Sequence, residues 1–174
     1  LALKGHKLGL KLHKEKPFDI VWAMLASYGG FAARKFKLKT KVKYLLSLQE
    51  GDPIEEILKK VRFNRKTFNQ IFTAADGLQS ISNYLHEWGF RMGFQGNQNE
   101  VIPNGVDIKK FTYEFTNEEL QKARHSFNFP QDSVILVTDG RVVKKNGLGD
   151  VIEALAKLPE KYCFLSVGTG NLLE

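Results

Sequence analysis

Val134-Ile-Leu-Val-Thr-Asp-Gly-Arg141, continued by Val142-Val-Lys-Lys-Asn-Gly147, carries the reading of the whole chain. Val134–Thr138, rich in β-branched and apolar types, reads as a strand, and the chain passes Gly140 soon after it. Arg141 and Lys145 then stand in a loop before a helix that should run from about Leu148 to Leu158, where Pro159 stops it. A strand, a glycine turn, two cations and a helix N-terminus bearing partial positive charge suit a diphosphate. In open α/β sheets ligands bind beyond the carboxyl ends of strands, where these cations lie. The next strand, Tyr162–Val167, ends in Gly168-Thr-Gly170, whose backbone N–H groups a phosphate could approach closely. Asn171, Leu172 and Leu173 follow, so this is not the Gly-x-Gly-x-x-Gly dinucleotide fingerprint.

Working back toward the amino terminus, compact apolar runs at Asp19–Leu25 and Lys43–Leu48 read as strands, with a short helical segment near Tyr28–Lys37 between them. Asp52 as N-cap, Pro53 at the first helical position and Glu55 announce a helix. Its apolar face continues through Ile54, Ile57, Leu58, Val61, Phe68, Ile71, Phe72 and Ala75, which predicts one helix ending near Asp76 and Gly77. Leu78–Ser82 reads as a strand, with Ser82 or Asn83 capping a helix that carries Tyr84, Leu85 and Trp88. Residues 93–99 read as loop, Val101 and Ile102 as a short strand, and Pro103-Asn-Gly105 as a sharp turn. A domain boundary is expected there, giving units 1–103 and 104–174. Beyond it, Thr116 and Glu119 have the spacing of a capping box. Strands alternate with helices throughout, so the fold class is α/β with parallel sheets.

The 174 residues suffice for one ordinary domain or two partial ones. Lys and Arg number 26 against 19 Asp and Glu, a net charge of +7 that favours phosphates, nucleotides, nucleic acid or anionic lipid as partners. A single cysteine, Cys163, excludes an internal disulfide and a thiol-based zinc site and points to a reducing cytosol. The four histidines lack metal-ligand spacing, so no metal is expected. The apolar stretch Phe18–Ala33 is interrupted by Asp19 and Ser27-Tyr-Gly-Gly30 and is too short to span a bilayer. The chain opens on Leu1 rather than Met, which suggests a piece of a longer protein.

Val101-Ile-Pro-Asn-Gly-Val-Asp107 with Phe111, then Gly140-Arg141 with Lys145 and Gly147, then Asp150-Val-Ile-Glu-Ala-Leu155 and Gly168-Thr-Gly170 resemble, in order and spacing, the group 1 (family 4) glycosyltransferases. Asp19-Ile-Val-Trp22, Leu48-Gln-Glu-Gly-Asp-Pro53 and Ala75–Ser82 are similar to the family's acceptor-side half. The resemblance implies a GT-B fold made of parts of two Rossmann-like domains, the first on the acceptor side and the second binding the nucleotide-sugar donor. It implies that Arg141 and Lys145 stabilise the departing diphosphate, while Gly140, Asn146, Gly168, Thr169 and Gly170 line the donor site. Asn104 and Gly105 would form the interdomain hinge. The family usually has lysine where Asn146 stands, and Lys145 is the substitute. Many relatives have histidine where Gln49 stands, so Gln49 would orient the sugar but could not serve as a base.

The implied activity is retaining transfer of a sugar from a nucleotide-sugar to a glycan, lipid or small-molecule acceptor. No cofactor or metal is called for. The family's glycine-rich opening loop and its Glu-x7-Glu motif do not occur here, so little or no activity is expected of this stretch alone. The basic run Arg34, Lys35, Lys37, Lys39, Lys41 and Lys43, with Lys4, Lys7, Lys11, Lys14 and Lys16, could face anionic lipid at the inner side of a membrane. Two other readings compete: a basic nucleic-acid-binding module without chemistry, and another GT-B enzyme such as a sugar-nucleotide epimerase. Against the module, Trp22, Tyr28, Tyr44 and Trp88 do not interleave with the lysines as a stacking platform would.

Overall fold

The computed structural model describes residues 1–173 and divides into two compact units, Leu1–Val106 and Asp107–Glu174. In the first unit four parallel strands lie in the order β1 (Ile20–Met24), β2 (Lys43–Leu48), β3 (Gly77–Ser80) and β4 (Gln98–Val101). Their register runs Ile20 opposite Lys43, Leu45 opposite Gly77, and Gly77 opposite Gln98. All four carboxyl ends therefore share one edge. Helices α1 (Ala2–Glu15), α2 (Gly30–Thr40), α3 (Ile54–Lys60), α4 (Arg65–Thr73) and α5 (Asn83–Arg91) complete the unit. Alternate residues of β2, namely Tyr44, Leu46 and Leu48, are fully buried and meet Phe68, Ile71 and Phe72 of α4 and Trp88 of α5 in one core. The rings of Phe72 and Trp88 pack edge to face with centroids 5.2 Å apart, a geometry that adds to their area burial.

Several boundaries differ from the sequence expectation, each for a local reason. Asp52 does not cap α3: Pro53 takes the N-cap place in extended conformation, and Asp52 instead pairs with Lys60 at 3.1 Å. The single helix expected over residues 54–75 is broken, because Val61 and Asn64 leave helical torsions around a 3₁₀ turn at Arg62–Asn64. Phe63, in that turn, is 84% exposed, so the apolar stripe lapses for a full turn before Phe68 restarts it. The amino-terminal helix α1 was not anticipated. Gly9 lets it approach α2 closely, since a β-carbon there would stand 3.3 Å from the Phe36 ring. Ser82 caps α5 as expected, accepting from the Leu85 N–H at 3.4 Å.

The second unit holds α6 (Ile108–Phe111), α7 (Asn117–Ser126), β5 (Val134–Asp139), α8 (Leu148–Leu155) and β6 (Tyr162–Val167). The two strands are parallel, with Val134 opposite Tyr162 and Asp139 opposite Val167. α7 begins with the expected capping box: the Glu119 N–H donates to Thr116 Oγ1, and the Thr116 N–H donates to Glu119 Oε2 at 2.8 Å. These bonds hold the Glu119 carboxyl below its ordinary value, the Thr116 backbone N–H first among them. A carboxyl lowered in the folded state adds stability above its unfolded value of about 4.3 and loses it as pH falls through the folded value. The protection of amides in the first turn of α7, taken relative to their intrinsic exchange rate at each pH, should therefore fall on acidification below the ordinary glutamate range, and in Glu119→Gln that fall should be absent.

Candidate functional site

The second unit's site grows from the zipping of two loops past the ends of β5 and β6. Gly140 N–H donates to Val167 O and Val142 N–H to Thr169 O, both at 2.9 Å, so the ladder runs beyond both strands. Val142 is only 3% exposed and its carbonyl also accepts from Leu172 N–H at 3.2 Å. This valine pins the loop, and its only mark in the sequence is an apolar residue placed among cations. The two glycines of Gly168-Thr-Gly170 are required by the same zipper. A β-carbon on Gly168 would fall 1.8 Å from Gly140 O, and one on Gly170 would fall 2.0 Å from Val142 O. Gly168 also has φ of +153°, in the range where side chains are strained. The structure thus gives these glycines a packing reason apart from any ligand.

Against this zipper lies a cavity of about 250 Å³. Thr138, Asp139, Gly140 and Arg141 line it from the end of β5, Ser166 from β6, and Val142, Asn146 and Leu148 from the loop and the first residue of α8. The N-terminus of α8, entered through the left-handed Gly147 (φ +70°), abuts the same space. Arg141 is exposed, and among the described residues no carboxylate forms an ion pair with it. Asn146 lines the cavity from an exposed position: its Nδ2 donates to Arg141 O at 2.6 Å and so holds the arginine's backbone. Lys145 is exposed and is not among the cavity's lining residues, and neither are Gly168, Thr169 and Gly170. Of the expected donor-site residues, the fold gathers Gly140, Arg141 and Asn146.

In the first unit, the carboxyl ends of β1 and β2 carry the other candidates. Gln49 follows β2 directly and is half-buried. Beside it, Glu50 turns inward, and its Oε1 accepts from the Ala26 N–H at 2.7 Å. Burial raises the Glu50 carboxyl above its usual range, opposed by the N–H groups of Ala26, Glu50 itself and Gln49. Ala26 belongs to a π-helical turn, Leu25–Gly29, that links β1 to α2. Asn104 and Gly105 are exposed in the irregular chain after β4, near the end of this unit.

The basic run does not form one solvated face. Lys37 pairs with Asp76 at 2.7 Å, donates to Ala74 O at 2.8 Å and stands over the Tyr44 ring, and Arg34 bonds the side chain of Gln70. Lys37 thus ties α2 to the chain just before β3, and Arg34 ties it to α4. Lys39, Lys41, Lys43 and the five lysines of residues 4–16 remain exposed. Among the described residues no helix is long and apolar enough to cross a membrane, and no cluster of His, Cys, Asp and Glu could hold a metal ion.

No family model matches the chain. It is 27% identical over 165 residues to the teichuronic acid biosynthesis glycosyltransferase TuaC of Bacillus subtilis, covering 92% of this chain and 41% of that protein. It is 28% identical over 113 residues to a GDP-mannose-dependent mannosyltransferase of Corynebacterium glutamicum acting on a monoacylated phosphatidylinositol monomannoside, covering 62% of this chain and 29% of that one. Among solved structures, HepE of Anabaena in complex with UDP-glucose superposes with a TM-score of 0.77 at 17% identity, over 95% of this chain and 43% of that one. Sucrose-phosphate synthase of Thermosynechococcus elongatus gives 0.76 at 16% identity, over 99% and 43%. The chain thus spans about two fifths of TuaC and of these solved structures. It is similar in sequence to glycosyltransferases, and its parallel α/β architecture is that of the GT-B structures it superposes on.

Proposed function

We propose that this chain, as a glycosyltransferase relative of the GT-B fold, supplies the diphosphate-binding half-site of a nucleotide-sugar donor and part of the acceptor side, for retaining transfer to a glycan, lipid or small-molecule acceptor. One observation carries the reading: Arg141, which has no carboxylate partner among the described residues, lines a cavity bounded on another side by the N-terminus of α8. A guanidinium can bind two phosphate oxygens in its planar fork, and the helix terminus adds partial positive charge without desolvating a second cation. Asp139 in the same lining would repel a phosphate and accept from a hydroxyl, which gives the cavity a polarity with the diphosphate at its Arg141 end. Gly140, Asn146 and the zipper of residues 168–170 hold this arrangement, and Lys145 adds a cation at the rim. In the first unit Gln49 would orient the transferred sugar, and Asn104 and Gly105 would serve as the hinge. The donors in the complex of HepE and in the name of the mannosyltransferase support UDP and GDP as the first nucleotides to try.

The exposed lysines of α1, with Leu8 and Leu12 exposed beside them, support peripheral contact of the full protein with anionic lipid at the cytoplasmic face. Calorimetric titration of the intact protein with UDP and GDP is the deciding measurement. Saturable binding that Arg141→Ala weakens supports the reading. Salt-sensitive binding of DNA or RNA, indifferent to Arg141→Ala, would make the chain a nucleic-acid module instead.

A further inference from the structure

The chain leaves β1 through an unusually constrained turn. Leu25 has φ of +66°, Ser27 departs from helical torsions with ψ of −108°, and after Tyr28 come two glycines, Gly29 and Gly30, with no room for side chains. A β-carbon on Gly29 would stand 2.3 Å from Met24 O, and one on Gly30 would stand 2.5 Å from Ile71 Cγ2. A left-handed leucine is unfavourable by itself, so something must hold the backbone there. The first N–H groups of a helix have no partner within it, and a side chain at the N-cap usually supplies one. Here the N-cap residue is Met24, which makes no side-chain cap bond. The missing acceptor comes from the loop after the neighbouring strand β2, as Glu50 Oε1 takes the Ala26 N–H at 2.7 Å. The Ala26 side chain is fully buried, and Glu50 Oε2 is sealed from solvent without a hydrogen-bond partner. A carboxylate is seldom placed at such cost unless the bond it makes is needed.

We propose that Glu50 is a positioning residue: a cap delivered across the sheet, which sets the course of the Leu25–Gly29 turn at the carboxyl edge of β1 and β2 and thereby presents Tyr28 toward the acceptor. The assignment of this edge to the acceptor rests on the proposed function, but the cap does not. Tyr28 is 64% exposed on this turn, and an exposed ring so held can lie against the apolar face of a sugar. Since Gln49 precedes Glu50 in the chain, the inward anchoring of one fixes the backbone that carries the other.

The test uses the intact protein, with residue-resolved amide exchange and UDP or GDP titration on the same samples. Glu50→Ala should accelerate exchange at Ala26 to Gly29 at least tenfold, with the core amides of β2 and α4 unchanged. Glu50→Gln, which keeps a carbonyl oxygen for the Ala26 N–H, should restore protection to near the native level. Nucleotide binding should be the same in all three proteins, since Glu50 lies in the first unit. Unchanged exchange in Glu50→Ala, or acceleration spread evenly over β2 and α4, overturns the proposal, as does failure of the glutamine variant to restore the turn. Loss of nucleotide binding in the native protein would overturn the proposed function and leave the cap standing.

Discussion

Arg141→Ala is expected to weaken UDP or GDP binding roughly ten- to a hundredfold, since hydrogen bonds to charged groups contribute about 1.5–3 kcal/mol each. Its effect on sugar transfer by the intact enzyme should be larger, on the order of a hundredfold or more, because charge grows on the leaving diphosphate in the transition state. Arg141→Lys should recover only part of the binding, as an ammonium cannot reproduce the planar two-point contact. The neighbouring positions give the contrast that makes the experiment informative. Asn146→Ala should also weaken binding, because it removes the 2.6 Å bond to Arg141 O that fixes the arginine's backbone. Lys145→Ala should do less than either, since Lys145 is not among the cavity's lining residues. Equal losses at residues 141 and 145 would show that the cation at the rim matters as much as the one in the lining.

Gly168→Val should be the most damaging single change in the second unit. Its β-carbon would fall 1.8 Å from Gly140 O, an overlap that forces the two loops apart. Opening them breaks the bonds from Gly140 N–H and Val142 N–H and uncovers Val142, which is buried in a unit that buries little else. Overpacking and left-handed strain together should cost about 3 kcal/mol or more. Urea unfolding followed by exchange at Val142 and Leu172 measures the loss. Gly149→Ala is the matched control, because its β-carbon meets nothing within 4 Å and it lies inside α8. There alanine should stabilise the helix by up to about 1 kcal/mol. Destabilisation of similar size in both variants would mean that the zipper carries no special strain.

What the sequence disclosed, it disclosed through local pattern. β2 and β6 were legible to the residue, because Lys43–Leu48 and Tyr162–Val167 are apolar runs with turns on both sides. The α7 capping box needed only Thr116 and Glu119 three residues apart, and the parallel α/β class followed from the alternation of elements. Helix α1 was hidden because its leucines and lysines suit either period, and what orders it is contact with α2. The break between α3 and α4 was missed since Val61 continues the apolar spacing while its torsions do not. At the candidate site, Arg141 was legible from its place after a strand and a glycine. That Asn146 lines the cavity and Lys145 does not was not legible, because it depends on how a 3₁₀ turn rotates Lys144–Asn146. The cap at Glu50 is beyond any local reading: donor and acceptor are 24 residues apart and meet only once β1 and β2 pair.

The parallel order of β1 to β4 leaves the opposite rim of that sheet blunt. Lys41, exposed and left-handed between α2 and β2, stands on that rim, two residues before β2 begins its run toward Gln49 and Glu50. A dye or spin label coupled to a cysteine at Lys41, with Cys163 changed to serine, would therefore sit in the short connection between α2 and β2 while keeping its bulk a full strand length from Gln49 and Glu50. The scaffold comes with a handle on the end away from its working edge.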